Sequence, residues 1–129
     1  MKTEILTKDN IDKVVMSYCT DGRAKLLGIN GNFDPSNAFS ENYANKQYIL
    51  AFPNGYGASL VTNTFIYGGY EVALTDGHPE YFELLCLDED SEYFSDVEGY
   101  LSTVEELYNV FDFIRDLKPR KKNKVVENF

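Results

Sequence analysis

Residues 51–63, AFPNGYGASLVTN, decide how the rest of the chain is organised. Either they form a glycine-rich loop that holds a ligand, or they bend a β-hairpin. A phosphate-binding loop needs Gly-x4-Gly-Lys-Ser/Thr between a strand and a helix, so that backbone N–H groups and a lysine meet the phosphate. Here no lysine follows, and the next run, ASLVTN, is strand-like. Asn54-Gly55 supplies both positive φ angles of a type I′ turn, which predicts a two-residue hairpin. That register sets Phe52 opposite Gly57, Ala51 opposite Ala58 and Tyr48 opposite Val61. It places Ile49, Ala51, Ala58 and Leu60 on one face and Tyr48, Leu50, Phe52 and Val61 on the other. Both faces are apolar. One is expected to pack on helices. The Tyr48, Leu50, Phe52, Val61 face then needs a cover, either the 28–46 segment or a second copy of the chain in a homo-oligomer, and it is a second candidate interface.

Working outward, four short β-rich runs follow position 47: QYILAF, ASLVTN, YEVALTD and YFELLCL, separated by Pro-Asn-Gly, Gly-Gly and Asp-Gly-His-Pro. Upstream, Ile11, Val14, Val15 and Tyr18 share one face of a helix predicted over 7–20, with Thr7 or Asp9 as its cap and Gly22 beyond its end. Residues 28–46 show no period and read as an irregular connection with one short helix near 36–44. A single helical turn is expected at 95–98. Downstream, Ser102-Thr103-Val104-Glu105 resembles a capping box. It opens a helix with Val104, Leu107, Tyr108, Phe111, Ile114 and Leu117 on one side. Pro119 stops it. The fold class predicted is α+β: a four-stranded antiparallel β-meander with an N-terminal and a C-terminal helix packed on one face. Residues 1–117 form one domain, and 118–129 a basic, flexible tail.

The chain has 129 residues, enough for one core, and 43% of them are apolar. No apolar run is long enough for a membrane span, and MKTEILTKDN is not a secretory leader. Two widely spaced cysteines, Cys19 and Cys86, read as reduced, buried thiols. A cytoplasmic protein is expected.

Charge is segregated along the chain. The net charge is −9, yet Gln47–Ile114 contains thirteen acids and not one Lys or Arg, while five basic residues crowd the last twelve positions. Ten of the acids fall within 80–106: Glu80, Glu83, Asp88, Glu89, Asp90, Glu92, Asp96, Glu98, Glu105 and Glu106. Such a face repels nucleic acid, so direct binding is disfavoured except through the basic tail. It is also suited to imitating phosphates in a partner's basic groove, where a plain solvated surface is the alternative.

No catalytic or metal constellation emerges. His78 is the one histidine, and it sits in a turn without a nucleophile beside it in sequence. Two cysteines without further ligands make no zinc site. Asp88, Asp90 and Glu92 alternate as an EF-hand opens, but Tyr93 and Gly99 occupy the places of its glycine and its closing glutamate. No cofactor and no enzymatic activity are expected.

FPNGYGASLV, YEVALTD and SDVEGYLSTVEELYNVFDFIRDL, in that order, resemble a family of small phage-encoded proteins of uncharacterised function. The likeness covers Phe52–Leu117, about half the chain. It implies a phage origin and brings no catalytic residues. Small acidic phage accessory proteins often block a host defence factor, so the expected partner is a host protein with a basic nucleic-acid-binding groove, a CRISPR or restriction effector. The alternative is a small-ligand protein, binding or sequestering a signalling nucleotide, that uses the Tyr48–Phe52 face and the glycine-rich 28–32 loop.

Overall fold

The computed structural model describes residues 4–31, 46–62, 69–78 and 82–120. Its elements are α1 (Ile11–Thr20), β1 (Lys25–Gly31), β2 (Lys46–Ala51), β3 (Gly57–Thr62), β4 (Tyr70–Thr75), β5 (Leu84–Leu85), β6 (Glu98–Leu101) and α2 (Val104–Arg115). The protein is α+β, with two helices and one antiparallel sheet. The strands run β1-β2-β3-β4-β5, and β6 pairs with β4 beside β5.

The sheet is larger than the predicted four-stranded meander. β1 falls where an irregular connection was expected. Gly28 and Gly31 hide its period, and it pairs with β2 through a register shift between Leu26 and Gly28. Residues 32–45, including the helix expected at 36–44, lie outside the described residues. YFELLCL yields only the two residues of β5, and no helical turn forms at 95–98.

The hairpin register differs from the prediction by one residue. Ala51 faces Gly57, Leu50 faces Ala58, and Tyr48 faces Leu60. The loop is the three residues Pro53–Gly55. The Phe52 N–H donates to Tyr56 O at 2.8 Å, the Gly55 N–H donates to Phe52 O at 3.0 Å, and Gly55 takes φ 91°. The cause is Pro53. In a two-residue hairpin the residues flanking the loop exchange both backbone bonds, and Pro53 has no N–H to give. Proline instead fits the second position of the turn, with glycine in the left-handed position after it.

One residue of slip exchanges the faces of β3 relative to β2. Tyr48–Leu60–Val72 and Leu50–Ala58–Leu74 therefore run as two rows across β2, β3 and β4, all of them buried. Tyr18 of α1 and Phe111 of α2 both meet Phe52, with ring centroids 6.4 and 6.3 Å away. The second interface predicted at Tyr48, Leu50, Phe52 and Val61 is thus corrected. The first three are core, and Val61 lies half-buried on the opposite face, in line with Gln47 and Glu71. The small-ligand alternative loses the face it relied on, and Gly28–Gly31 of its glycine-rich loop belong to β1.

The helices are joined by polar ties. The Tyr18 hydroxyl donates to Asp112 at 2.8 Å, and the Tyr108 hydroxyl donates to Val14 O at 2.7 Å. The Tyr48 hydroxyl donates to Asp12, which also pairs with Lys46 at 3.4 Å. These bonds satisfy hydroxyls carried inward on aromatic rings. The helix ends follow their local chemistry. Gly22, at φ 78°, closes α1. Its start is a reciprocal turn between Thr7 and Asn10, in which each backbone N–H donates to the other's side chain. The capping box of α2 is Thr103–Glu106, one residue later than predicted. Leu6 N–H donates to Ser102 O and Val104 N–H to Glu4 O, so the N-terminal segment bridges Thr103 in extended form and the helix begins after it.

Candidate acidic interface

Between β5 and β6 the chain makes a loop whose ends are drawn together. The Leu87 N–H donates to Phe94 O at 2.6 Å, and the Phe94 N–H donates to the Glu98 carboxylate at 2.9 Å. Inside it, Ser91 N–H donates to Asp88 O at 2.9 Å and the Ser91 hydroxyl to Tyr93 O at 2.7 Å. Phe94 plugs the loop into the core. It is fully buried, and the ring of Phe113 on α2 lies 6.2 Å from it and 5.0 Å from Tyr93. Its φ of 66° lies in the left-handed region, which costs a non-glycine residue about 1–2 kcal/mol. The plug holds the chain there against that cost.

The pattern of the loop follows from this geometry. Apolar Leu87, Tyr93 and Phe94 turn inward, while Asp88, Glu89, Asp90, Glu92 and Asp96 are exposed. Glu83 precedes β5 and is exposed as well. Among the described residues the four ion pairs involve none of these carboxylates.

The predicted ten-acid face is therefore smaller than its sequence. Glu80 lies outside the described residues. Glu98 is half-buried and holds the Phe94 N–H. Glu106 is bound into the capping box, where hydrogen bonds from Ser102 and Thr103 hold its carboxyl below the usual range. Glu105 is exposed in the first turn of α2. Eight of the ten carboxylates are exposed: Glu83, Asp88, Glu89, Asp90, Glu92, Asp96, Glu105 and, though tied into the capping box, Glu106.

The other candidates lie apart from this loop or at its border. His78 is exposed in its turn, and its backbone N–H donates to Asp76 Oδ1 at 3.0 Å. Cys19 is half-buried, with its thiol pushed up by burial, whereas Cys86 is exposed rather than buried. Among the described residues no group of His, Cys, Asp and Glu could hold a metal, and no helix is long and apolar enough to cross a membrane.

Sequence reasoning missed that the chain after α2 returns to the hairpin tip. Arg120, assigned to the tail, lies against it. Its N–H donates to Asn54 O at 2.8 Å, its guanidinium donates to Asp76 O at 3.2 Å, and the same group stands 5.7 Å from the Tyr56 ring centroid. Proline followed by arginine after a helix was the only signal of this, and it has no fixed structural meaning. Residues 121–129 lie outside the described residues. No known protein family, curated protein or solved structure matches this chain.

Proposed function

We propose that the protein is a phage-type accessory protein that binds a host nucleic-acid-handling defence protein, a CRISPR or restriction effector, and blocks it by occupancy rather than catalysis. The observation that carries this reading is the plugged loop. Five exposed carboxylates, from Asp88 to Asp96, sit on backbone tied down by Phe94 and its hydrogen bonds. Charges displayed on an ordered loop lose little entropy when they dock, unlike those on a loose acidic tail. The absence of any Lys or Arg from Gln47 to Ile114 leaves that field uncompensated along the sequence. The phage origin rests on the resemblance read from the motifs of Phe52–Leu117 alone, and a basic nucleic-acid groove is the complementary surface.

The test is inhibition of DNA cleavage by purified CRISPR and restriction effectors at low and high salt. Inhibition by the native chain should weaken as salt rises. The triple variant Asp88→Lys, Asp90→Lys, Glu92→Lys should lose it. A triple variant that inhibits as well as the native chain would sink the mimicry reading.

A further inference from the structure

β6 contains an irregularity in its pairing with β4. Tyr70 faces Leu101 and Val72 faces Glu98, so Gly99 and Tyr100 together oppose Glu71 in a β-bulge. Tyr100 takes φ 57° there, a conformation that glycine adopts without strain and other residues resist. Its backbone is also crowded: a Cβ on Gly69 would stand 2.8 Å from Tyr100 Cα. The result of this arrangement is a tyrosine that is 72% exposed. Bulges re-aim side chains, and strained residues kept against local preference concentrate where function needs them.

Two more apolar side chains share this border of the sheet. Leu84, 62% exposed, pairs with Thr75, and Val97, 41% exposed, precedes Glu98, which pairs with Val72. Leu84 and Glu98 are thus three β4 residues apart, about 10 Å. Exposed Glu83 and Asp96 flank the apolar positions in sequence, and exposed Glu71 lies opposite the bulge.

We infer that Leu84, Val97 and Tyr100 form an apolar seat in an acidic rim, and that its occupant is a Lys/Arg-rich partner segment with one apolar face. Charge complementarity selects the class of occupant, and tyrosine is among the residues that most often anchor an interface. The inference rests on the reading that the acidic loop meets a basic protein surface. It adds that the surface must carry apolar groups between its cations.

Two labelled synthetic peptides with equal numbers of lysines serve as probes. One is lysine and glycine; the other is lysine and leucine arranged to give one apolar helical face. At high salt the lysine–leucine peptide should bind about tenfold or more tightly than the other. Tyr100→Gly and Leu84→Ser should each erase most of that difference, measured at a temperature where both variants are folded by circular dichroism. The charge-reversed triple variant should weaken both peptides alike at low salt. Equal binding of the two peptides overturns the apolar seat and leaves the acidic reading standing. Binding of neither overturns both. A dimer of the native chain that Tyr100→Gly dissolves gives the edge to a second copy and overturns the assigned occupant.

Discussion

Asn54 of the hairpin loop caps the C-terminal end of α2: its side-chain amide lies 2.7 Å from Ile114 O, 3.1 Å from Arg115 O and 3.0 Å from Leu117 O. Helix C-termini leave their last carbonyls without intrahelical donors, and here a residue sixty positions away supplies the donor. The same side chain accepts from the Tyr56 N–H at 3.1 Å. Asn54→Asp keeps that acceptor but replaces the donor with a negative charge at the helix's negative end. The expected loss is about 1–3 kcal/mol, read as a lower urea midpoint. An unchanged midpoint would show that water substitutes for the amide.

Gly57 is closed in on three sides. A Cβ there would meet Thr75 Oγ1 at 2.5 Å, Leu50 O at 2.7 Å and Gly77 Cα at 2.8 Å, two of them backbone atoms in the sheet or its turn. Gly57→Ala should therefore cost about 1–3 kcal/mol through overpacking. Gly28→Ala, with nothing within 4 Å, should have a much smaller effect. Thermal unfolding of the two variants side by side checks the contrast.

Phe94→Ala removes the plug of the acidic loop without touching a carboxylate. A buried phenylalanine lost from a core costs about 3–5 kcal/mol. If loop order matters for docking, effector inhibition should fall as well, measured at a temperature where the variant is folded by circular dichroism. Hydrogen exchange at Ser91 and Phe94 should quicken beyond that of the central strands.

Alkaline pH should unfold the protein through its tyrosines. Burial pushes the hydroxyls of Tyr18, Tyr48, Tyr70 and Tyr108 above their ordinary range, with hydrogen bonds to Asp112 and Asp12 adding to the shift at Tyr18 and Tyr48. In the unfolded chain a tyrosine ionises near pH 10. Folded pKa values above that mean that this stability is fully present below about pH 10 and is lost as pH rises further. Urea midpoints against pH, with phenolate absorbance followed in parallel, should show unfolding and ionisation together. Ionisation of Tyr18, Tyr48, Tyr70 and Tyr108 near pH 10 while the protein is still folded would contradict it.

At the acid end Asp12 gives the opposite sign. The Tyr48 hydroxyl and, after it, Lys46 hold its carboxyl below the ordinary range despite the counter-effect of burial. Its contribution is present above about pH 4 and is lost as pH falls through the lowered value. Asp12→Asn, which keeps an acceptor for Tyr48, should flatten the acid limb of the midpoint-against-pH curve. An acid limb identical to that of the native chain would exclude Asp12 as a contributor.

Much of the framework was legible because it is encoded at short range. α1 and α2 follow from apolar spacing, and the runs of β2, β3 and β4 from their β-rich composition and turn residues. The candidate interface was legible as a block of acids but not as a shape. Composition placed ten carboxylates together, and only the buried ring of Phe94, the half-burial of Glu98 and the capping-box bonds of Glu106 show which of them project freely. β1 and β6 escaped notice because a seven-residue strand with two glycines and a four-residue strand with a bulge carry no clear period.

The amino-acid sequence by itself determined the class, the existence of both helices, the hairpin and the segregation of charge, since each depends on neighbours a few positions apart. Tertiary structure alone decided the rest. The register slip at Pro53 has a local cause, but only the packing of both helices on that side of the sheet placed Tyr48, Leu50 and Phe52 in the core instead of at an interface. Asn54, readable locally as a turn residue, became the cap of a helix it meets only when folded. Hydrogen-bond partners sixty residues apart leave no periodic trace, so the hairpin's second use shows only in the packed chain.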